Sequence, residues 1–332
     1  MSRTGGLGWY VHHHGRGHLH RALAVARELE EPVTGLSSLP RPDGWAGDWV
    51  HLAPDDPPST AGDPTARGRL HWVPPHHPGL ARRSHQLSTW LDAARPRAVV
   101  VDVSVEVTLL VRLHGVPVVG VVLPGRRDDA AHRLALDVSD VLVGAWPEEA
   151  TVAMLPGLPT EVHERVHAVG ALSRHPVAQR SPHARTVTFL GGAGGHDLAP
   201  EALEDLLSRA RVSTPTWSWE VAGPGRWHDD VAGLLERSAV VVTHAGQNAL
   251  AEVAAARRPA VVVPQARPHE EQLTSAAALA AGDWPVTVLP ALPEEGWPDL
   301  LERTAGRDGA GWSRWVDGGA AGRFAGLLRD VG

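Results

Sequence analysis

The 332-residue chain has no cysteine, no lysine and no isoleucine, and its single asparagine is Asn248. Without cysteine there is no disulfide framework, no thiolate nucleophile and no cysteine zinc site. Without lysine there is no P-loop lysine, no Schiff base and no pyridoxal phosphate attachment. Positive charge is also in deficit: 31 basic residues, all arginine, face 38 acidic ones for a net charge of −7. That balance argues against a general nucleic-acid binder, which carries a basic face. Long hydrophobic runs are missing too. The most apolar region, 98–124, is interrupted by Asp102, Glu106, Arg112 and His114, whereas a membrane-spanning helix needs about 20 apolar residues. The first residues, MSRTGGLGWYVHHHG, hold no apolar stretch of signal-peptide length. A soluble, cytoplasmic protein is expected, with peripheral contact at the inner membrane face as the variant. Arginine and valine standing in for lysine and isoleucine point to G+C-rich coding.

What is present is enough for a core: 43% of residues are apolar and 21% charged. Short Val-rich runs alternate with Ala/Leu/Arg-rich helical stretches. Apolar runs bounded by Gly or Pro predict strands buried on both faces, as in a parallel sheet. The predicted strands are 8–13, 32–37, 48–53, 97–102, 116–123 and 140–144, with helices over 17–30, 80–95 and 104–114. The alternation restarts with strands at 185–190, 216–222, 239–243, 259–263 and 285–289. Helices fit 198–210, 228–237, 247–256, 269–281 and 295–305, and an amphipathic stretch covers 312–330. The polar, Pro-containing stretch 172–184 reads as a linker and hinge between domains at 1–171 and 185–332, the last helix being free to pack back on the first domain. The fold class predicted is α/β, two Rossmann-like doubly wound domains in tandem with a cleft between them. Ligands of such sheets sit beyond the carboxyl ends of the strands, which gives weight to three motifs placed just after strands.

The first is HHHGRGHLHR, residues 12–21. Gly15 and Gly17 permit a tight turn into a helix start, and imidazole is the side chain best suited to take a proton near neutral pH. His18 would sit at that turn; the alternative is a satisfied loop histidine. A zinc site among His12, His13, His14, His18 and His20 is not expected, since strand neighbours point to opposite faces and no carboxylate has matching spacing. The second is Asp102, ending a buried strand in VVVDVSVEV. It would either orient a histidine from a neighbouring strand end or cap the helix that starts near Ser104. The third is HAGQNALAE at 244–252 between two Val-rich strands, followed by PQARPHEEQ at 264–272. His244, Ala245 and Gly246 form the strand-to-helix turn, and the helix opening at Gln247–Asn248 offers free N–H groups to an anion. The glycine loop 191–195, with Gly192 and Gly194, ends the first strand of the same half but lacks dinucleotide GxGxxG spacing.

Residues 239–272 resemble the donor-binding segment of GT-B nucleotide-sugar glycosyltransferases, in particular families one and twenty-eight, the latter including the bacterial cell-wall N-acetylglucosaminyltransferase. The pattern His, any, Gly, any, Asn, then Glu four further on is met by His244, Gly246, Asn248 and Glu252, and the acidic-Gln pair by Glu271–Gln272. The Gly15-Arg16-Gly17-His18 loop and the segment around Asp102 are similar to the acceptor side of the same families. The resemblance implies His18 as general base with Asp102 fixing its tautomer, and His244 with the Gln247–Asn248 helix start holding the donor diphosphate. It implies Glu252 on the ribose hydroxyls and Glu271–Gln272 on the donor sugar. Retaining enzymes of this fold carry two Glu eight residues apart; eight before Glu252 stands His244, so an inverting transfer from a UDP-type donor is implied, with no metal and no cofactor. The chain departs from the pattern at Gln247, where Trp is common, and in lacking an upstream aromatic-Pro-Gln segment for base stacking. A nucleotide-sugar hydrolase or 2-epimerase of the same fold, or a non-catalytic nucleotide-sugar-binding partner, are the competing readings. The acceptor is open. Thirteen of the sixteen aromatics are Trp; core and surface packing is expected for most of them, and the alternative makes Trp45, Trp49, Trp72 and Trp90, with Arg82 and Arg83, a platform for a sugar or lipid-linked acceptor.

Overall fold

The computed structural model describes residues 5–56, 62–178, 184–192, 196–223, 226 and 228–331. The first half runs β1 (Leu7–Val11), α1 (Gly17–Ala26), β2 (Val33–Ser37), β3 (Trp49–His51), α2 (Pro78–Ala94), β4 (Ala98–Asp102), α3 (Val105–Leu113), β5 (Val118–Val122), α4 (Ala130–Val138), β6 (Val141–Gly144), α5 (Thr151–Met154), α6 (Thr160–Arg165) and β7 (Val166–Ala168). The second runs β8 (Thr186–Leu190), α7 (Pro200–Ser213), β9 (Ser218–Ala222), α8 (Val231–Glu236), β10 (Val240–Thr243), α9 (Gln247–Ala255), β11 (Ala260–Val262), α10 (Glu271–Ala281), β12 (Val286–Val288), α11 (Trp297–Ala305) and α12 (Ala320–Asp330).

The strands form two sheets, ordered β3-β2-β1-β4-β5-β6-β7 and β12-β11-β10-β8-β9, and every pairing is parallel. This is the doubly wound α/β pair expected. Continuous Val runs such as AVVVD of β4 and VVGVV of β5 are buried at every position, because helices cover both faces of a parallel sheet. The sequence left 125–139 and 146–168 without elements, and they carry α4, α5, α6 and β7. These are short pieces whose pattern is too brief to show a period. α3 begins at Val105 after Ser104, whose hydroxyl accepts from Val107 N at 3.3 Å, so Ser104 and not Asp102 caps the helix.

Chain order reverses between β1 and β4 in the first sheet and between β8 and β10 in the second. At such switch points neighbouring loops diverge and open a crevice. One apolar core spans the two halves: Leu142, Trp146 and Met154 share a cluster with Leu250, Ala276 and Leu279. α12 returns to the first sheet, where Phe324 and Leu328 join Trp9, Ala22 and Val25. Arg97 Nη1 donates to the Leu328 carbonyl at 2.6 Å and anchors the end of that helix. The residues 172–178 lead away from the first sheet, and Ala178 N donates to Ala255 O at 2.8 Å; residues 179–183 of the expected linker lie outside the described residues.

Candidate active site

Each switch point delivers one half of the site. After β1 the chain turns through Gly15, at φ +78°, and enters α1 at Gly17. After β4 it turns through Val103, whose φ of 51° is unusual for a β-branched residue. Because β1 lies beside β4, His18 in the first turn of α1 meets the last residue of β4. Its Nδ1 lies 2.9 Å from Asp102 Oδ1. The carboxylate can only accept, so Nδ1 carries a proton, and in the neutral ring Nε2 is left as the acceptor; the ring lines the adjoining cavity.

Asp102 is completely buried. Burial by itself would raise its pKa, but the Arg21 guanidinium and then His18 prevail, and the carboxyl is held below its usual range. Arg21, itself 6% exposed, donates from Nη1 to Asp102 Oδ1 at 2.7 Å and from Nη2 to Gln247 Oε1 at 3.3 Å. One guanidinium therefore ties the dyad to the start of α9 in the other half. The sequence reading missed Arg21; its signal was the spacing of three from His18, which puts both on one helix face.

On the second half, Gly246 stands at the N-terminus of α9 and no side chain caps that turn. The free N–H groups and the dipole make this end attractive to an anion. Asn248 reaches across the cleft to Gly17: a Cβ on Gly17 would stand 2.5 Å from Asn248 Nδ2. Glycine at 17 thus lets α1 and α9 approach end to end. Gly192 lies at the end of β8 with open space around it, whereas Gly194 lies outside the described residues.

His244 is buried, with Nδ1 2.9 Å from the Val263 carbonyl and Nε2 without a partner. Burial pushes its pKa down to about 4; the Val263 carbonyl opposes this, and His196 and Arg267 reinforce it. His244 is accordingly neutral at pH 7, with its proton on Nδ1. Glu252 is buried and accepts from Arg174 Nε at 2.6 Å, a contact that sequence reasoning did not foresee. Gln272 Oε1 accepts from Gln265 N at 2.9 Å, and Glu271 lines the cavity. Asp197 accepts from Ala266 N at 2.8 Å, which ties the loop after β8 to the loop after β11.

Between the halves lies a cavity of roughly 370 Å³. His12, His14 and His18 line one wall, and Val101, Val121 and Leu136 supply apolar surface. The four tryptophans that the alternative reading made an acceptor platform do not line it. Trp45 and Trp49 pack edge-on against each other at 5.2 Å, and Trp90 lies against Gly8. Arg83 is buried and bound to Ala53 O, Ser38 and Asp55, a structural role rather than a surface for lipid phosphate.

The buried and half-buried imidazoles bear on stability. Burial pushes His12 to about 3 and His20, His132 and His244 to about 4. Between an unfolded value near 6.5 and these folded values, the unfolded chain binds more protons. Stability is thus full above pH 6.5 and is expected to fall as pH drops through that window, with about 3 kcal/mol of the loss from His244. Urea denaturation across the pH range checks this. A midpoint constant from pH 6.5 to 4 would contradict it, and His244→Gln should flatten part of the slope.

Residues 220–283, from β9 to the end of α10, match the glycosyltransferase family 28 C-terminal domain. A crystal structure of the kitacinnamycin glycotransferase superposes with a TM-score of 0.67 at 18% identity, covering 99% of each chain. The structure of Arabidopsis thaliana UGT89C1 complexed with UDP-L-rhamnose does so with a TM-score of 0.63 at 14% identity, covering 98% of each chain. The superpositions show that the chain has the GT-B fold of these glycosyltransferases, and residues 220–283 carry the similarity to the family 28 C-terminal domain. Among curated proteins, the labda-7,13-dienyl diphosphate synthase of Streptomyces clavuligerus is 32% identical over 152 residues, 40% of this chain. The match covers 28% of that protein, so the chain spans less than a third of its length. Among the described residues, no helix is long and apolar enough to cross a membrane.

Proposed function

We propose that the chain is an inverting glycosyltransferase that moves a sugar from a nucleoside diphosphate donor, a UDP-sugar first among candidates, to an acceptor hydroxyl. The observation that carries this reading is the His18–Asp102 pair at a cavity wall, tied through Arg21 to the uncapped start of α9. His18 Nε2 takes the hydroxyl proton as the acceptor oxygen attacks the anomeric carbon. The bond from that carbon to the diphosphate oxygen breaks on the opposite face, and the electron pair leaves with the nucleoside diphosphate. A single displacement inverts the anomeric centre. The α9 N–H groups meet the charge that develops on the leaving group, with no metal at that position. UGT89C1 in complex with UDP-L-rhamnose supports the donor class.

His244 fits a modified role. With its proton on Nδ1, its Nε2 accepts until a nearby phosphate draws a second proton onto the ring. Glu252 would take the ribose hydroxyls, sharing its carboxylate with Arg174. The apolar share of the cavity favours a hydroxylated small molecule as acceptor over a charged polymer. Of the competing readings, a 2-epimerase needs several acid–base carboxylates at the sugar, and the only carboxylate lining the cavity among the described residues is Glu271.

A thermal-shift panel of uridine, guanosine, thymidine and adenosine diphosphates tests the donor reading. One of them at a hundredfold excess over its Kd should stabilise the chain by about 2.7 kcal/mol. Glu252→Gln should weaken that binding by about tenfold to a hundredfold, the effect of losing hydrogen bonds to a charged group. No shift with any nucleotide would overturn the donor reading. Fast release of free sugar from the donor without an acceptor would replace transferase with hydrolase.

A further inference from the structure

We propose that His71, His132 and His269 form a divalent transition-metal site of the zinc class that clasps the two halves of the molecule at the cavity. The three come from separate parts of the chain: His71 from the irregular segment before α2, His132 from α4 and His269 from the loop between β11 and α10. One ring nitrogen of each lies within 4.8 Å of those of the other two. Ring centroids are 4.3 Å apart for His71–His132, 4.6 Å for His132–His269 and 5.8 Å for His71–His269.

Neutral imidazole is the form that binds metal. His71 Nε2 is buried with no hydrogen-bond partner among the described residues, although Asp129 Oδ1 stands 3.8 Å away. Asp129 Oδ2 also accepts from His132 Nδ1. A carboxylate beside a ligand histidine is the usual support of a metal site, and it could also fill a fourth position. Nitrogens 2.0–2.1 Å from a tetrahedral ion lie about 3.4 Å apart, so closure by at most about 1.4 Å completes the set.

The scaffold for that closure is in place. His269 sits at φ 57° and Glu270 at φ 55°, and the His269 carbonyl accepts from Arg126 N of the opposite half at 2.8 Å. One group stands against the ion: Arg127 Nη1 lies 2.9 Å from His132 Nε2, so metal binding must displace that contact. The proposal places no metal at the diphosphate and does not rest on sugar transfer.

The test is calorimetric titration of the full chain, freed of metal by chelation, with Zn²⁺ alone. Co²⁺ absorption serves as a probe of tetrahedral ligation. One Zn²⁺ per chain is expected, with thermal stability raised by the metal in wild type and not in His269→Ala. His269 is exposed, so that variant should fold, and metal-free unfolding confirms it. Asp129→Asn should bind about 10–100-fold more weakly. Arg127→Gln should bind about tenfold more tightly, because His132 Nε2 no longer has to displace a donor. Wild-type affinity retained in His269→Ala, or binding abolished by His13→Ala instead, would overturn the site, as would failure of the wild type to bind.

Discussion

His18→Ala is expected to lower turnover about 10²–10⁴-fold, the range for loss of a positioned general base. Donor binding should barely change, because the groups proposed to hold the nucleotide lie on the other half at α9 and its neighbouring loops. The separation follows from the geometry. His18 touches Asp102 in its own half, and it is Arg21, not His18, that reaches across to Gln247. A kcat loss with an unchanged nucleoside diphosphate Kd is therefore the signature of the role. His14 and His12 also line the cavity, and either could in principle accept a proton. His12→Ala serves as the control and should cost far less than His18→Ala, because no carboxylate sets its tautomer. Unchanged turnover in His18→Ala, measured with a true acceptor, would remove the base assignment.

Asp102→Asn should act twice. Its carboxylate is wholly buried and lies 2.7 Å from an Arg21 guanidinium that is 6% exposed. Removing one partner of a buried pair leaves an uncompensated charge and costs about 3–5 kcal/mol. Urea denaturation will read that loss. The second effect is on turnover: a neutral amide no longer stabilises the imidazolium that forms as His18 takes the proton. The two effects separate in the double variant Arg21→Met, Asp102→Asn. Removing the stranded charge should restore most of the stability, while turnover stays low because His18 still lacks its carboxylate. Turnover that recovers together with stability would make Asp102 a structural anchor only.

The sequence made the site legible in parts. His244, Gly246, Asn248 and Glu252 share one strand-turn-helix unit, and their spacing alone places them at a helix start. Asp102 left two roles open, and the structure decides between them: Ser104 takes the cap, and Asp102 holds His18 and Arg21. The packing reading of the tryptophans holds, and the alternative of an acceptor platform does not, because composition says how many aromatic rings there are and nothing of where they go. Most fill the core, where large rings bury the most area.

What the sequence determined by itself was the alternation of buried parallel strands with helices, the strand-turn-helix unit that holds His244 to Glu252, and the exclusion of lysine and cysteine chemistry. These are local properties, set by periodicity within an element and by residue type. Tertiary structure alone decided that Arg21 would share Asp102 with His18, that Arg174 would lie on Glu252, and that three histidines far apart in the chain would gather at the cleft. Such meetings depend on which strands are neighbours and on how two domains close. The pairing of β1 with β4 brings residues 18 and 102 together, and the docking of the His269 loop on Arg126 brings residue 269 to 71 and 132. No single segment carries that information, because the order of strands in a sheet is set by packing over the whole chain.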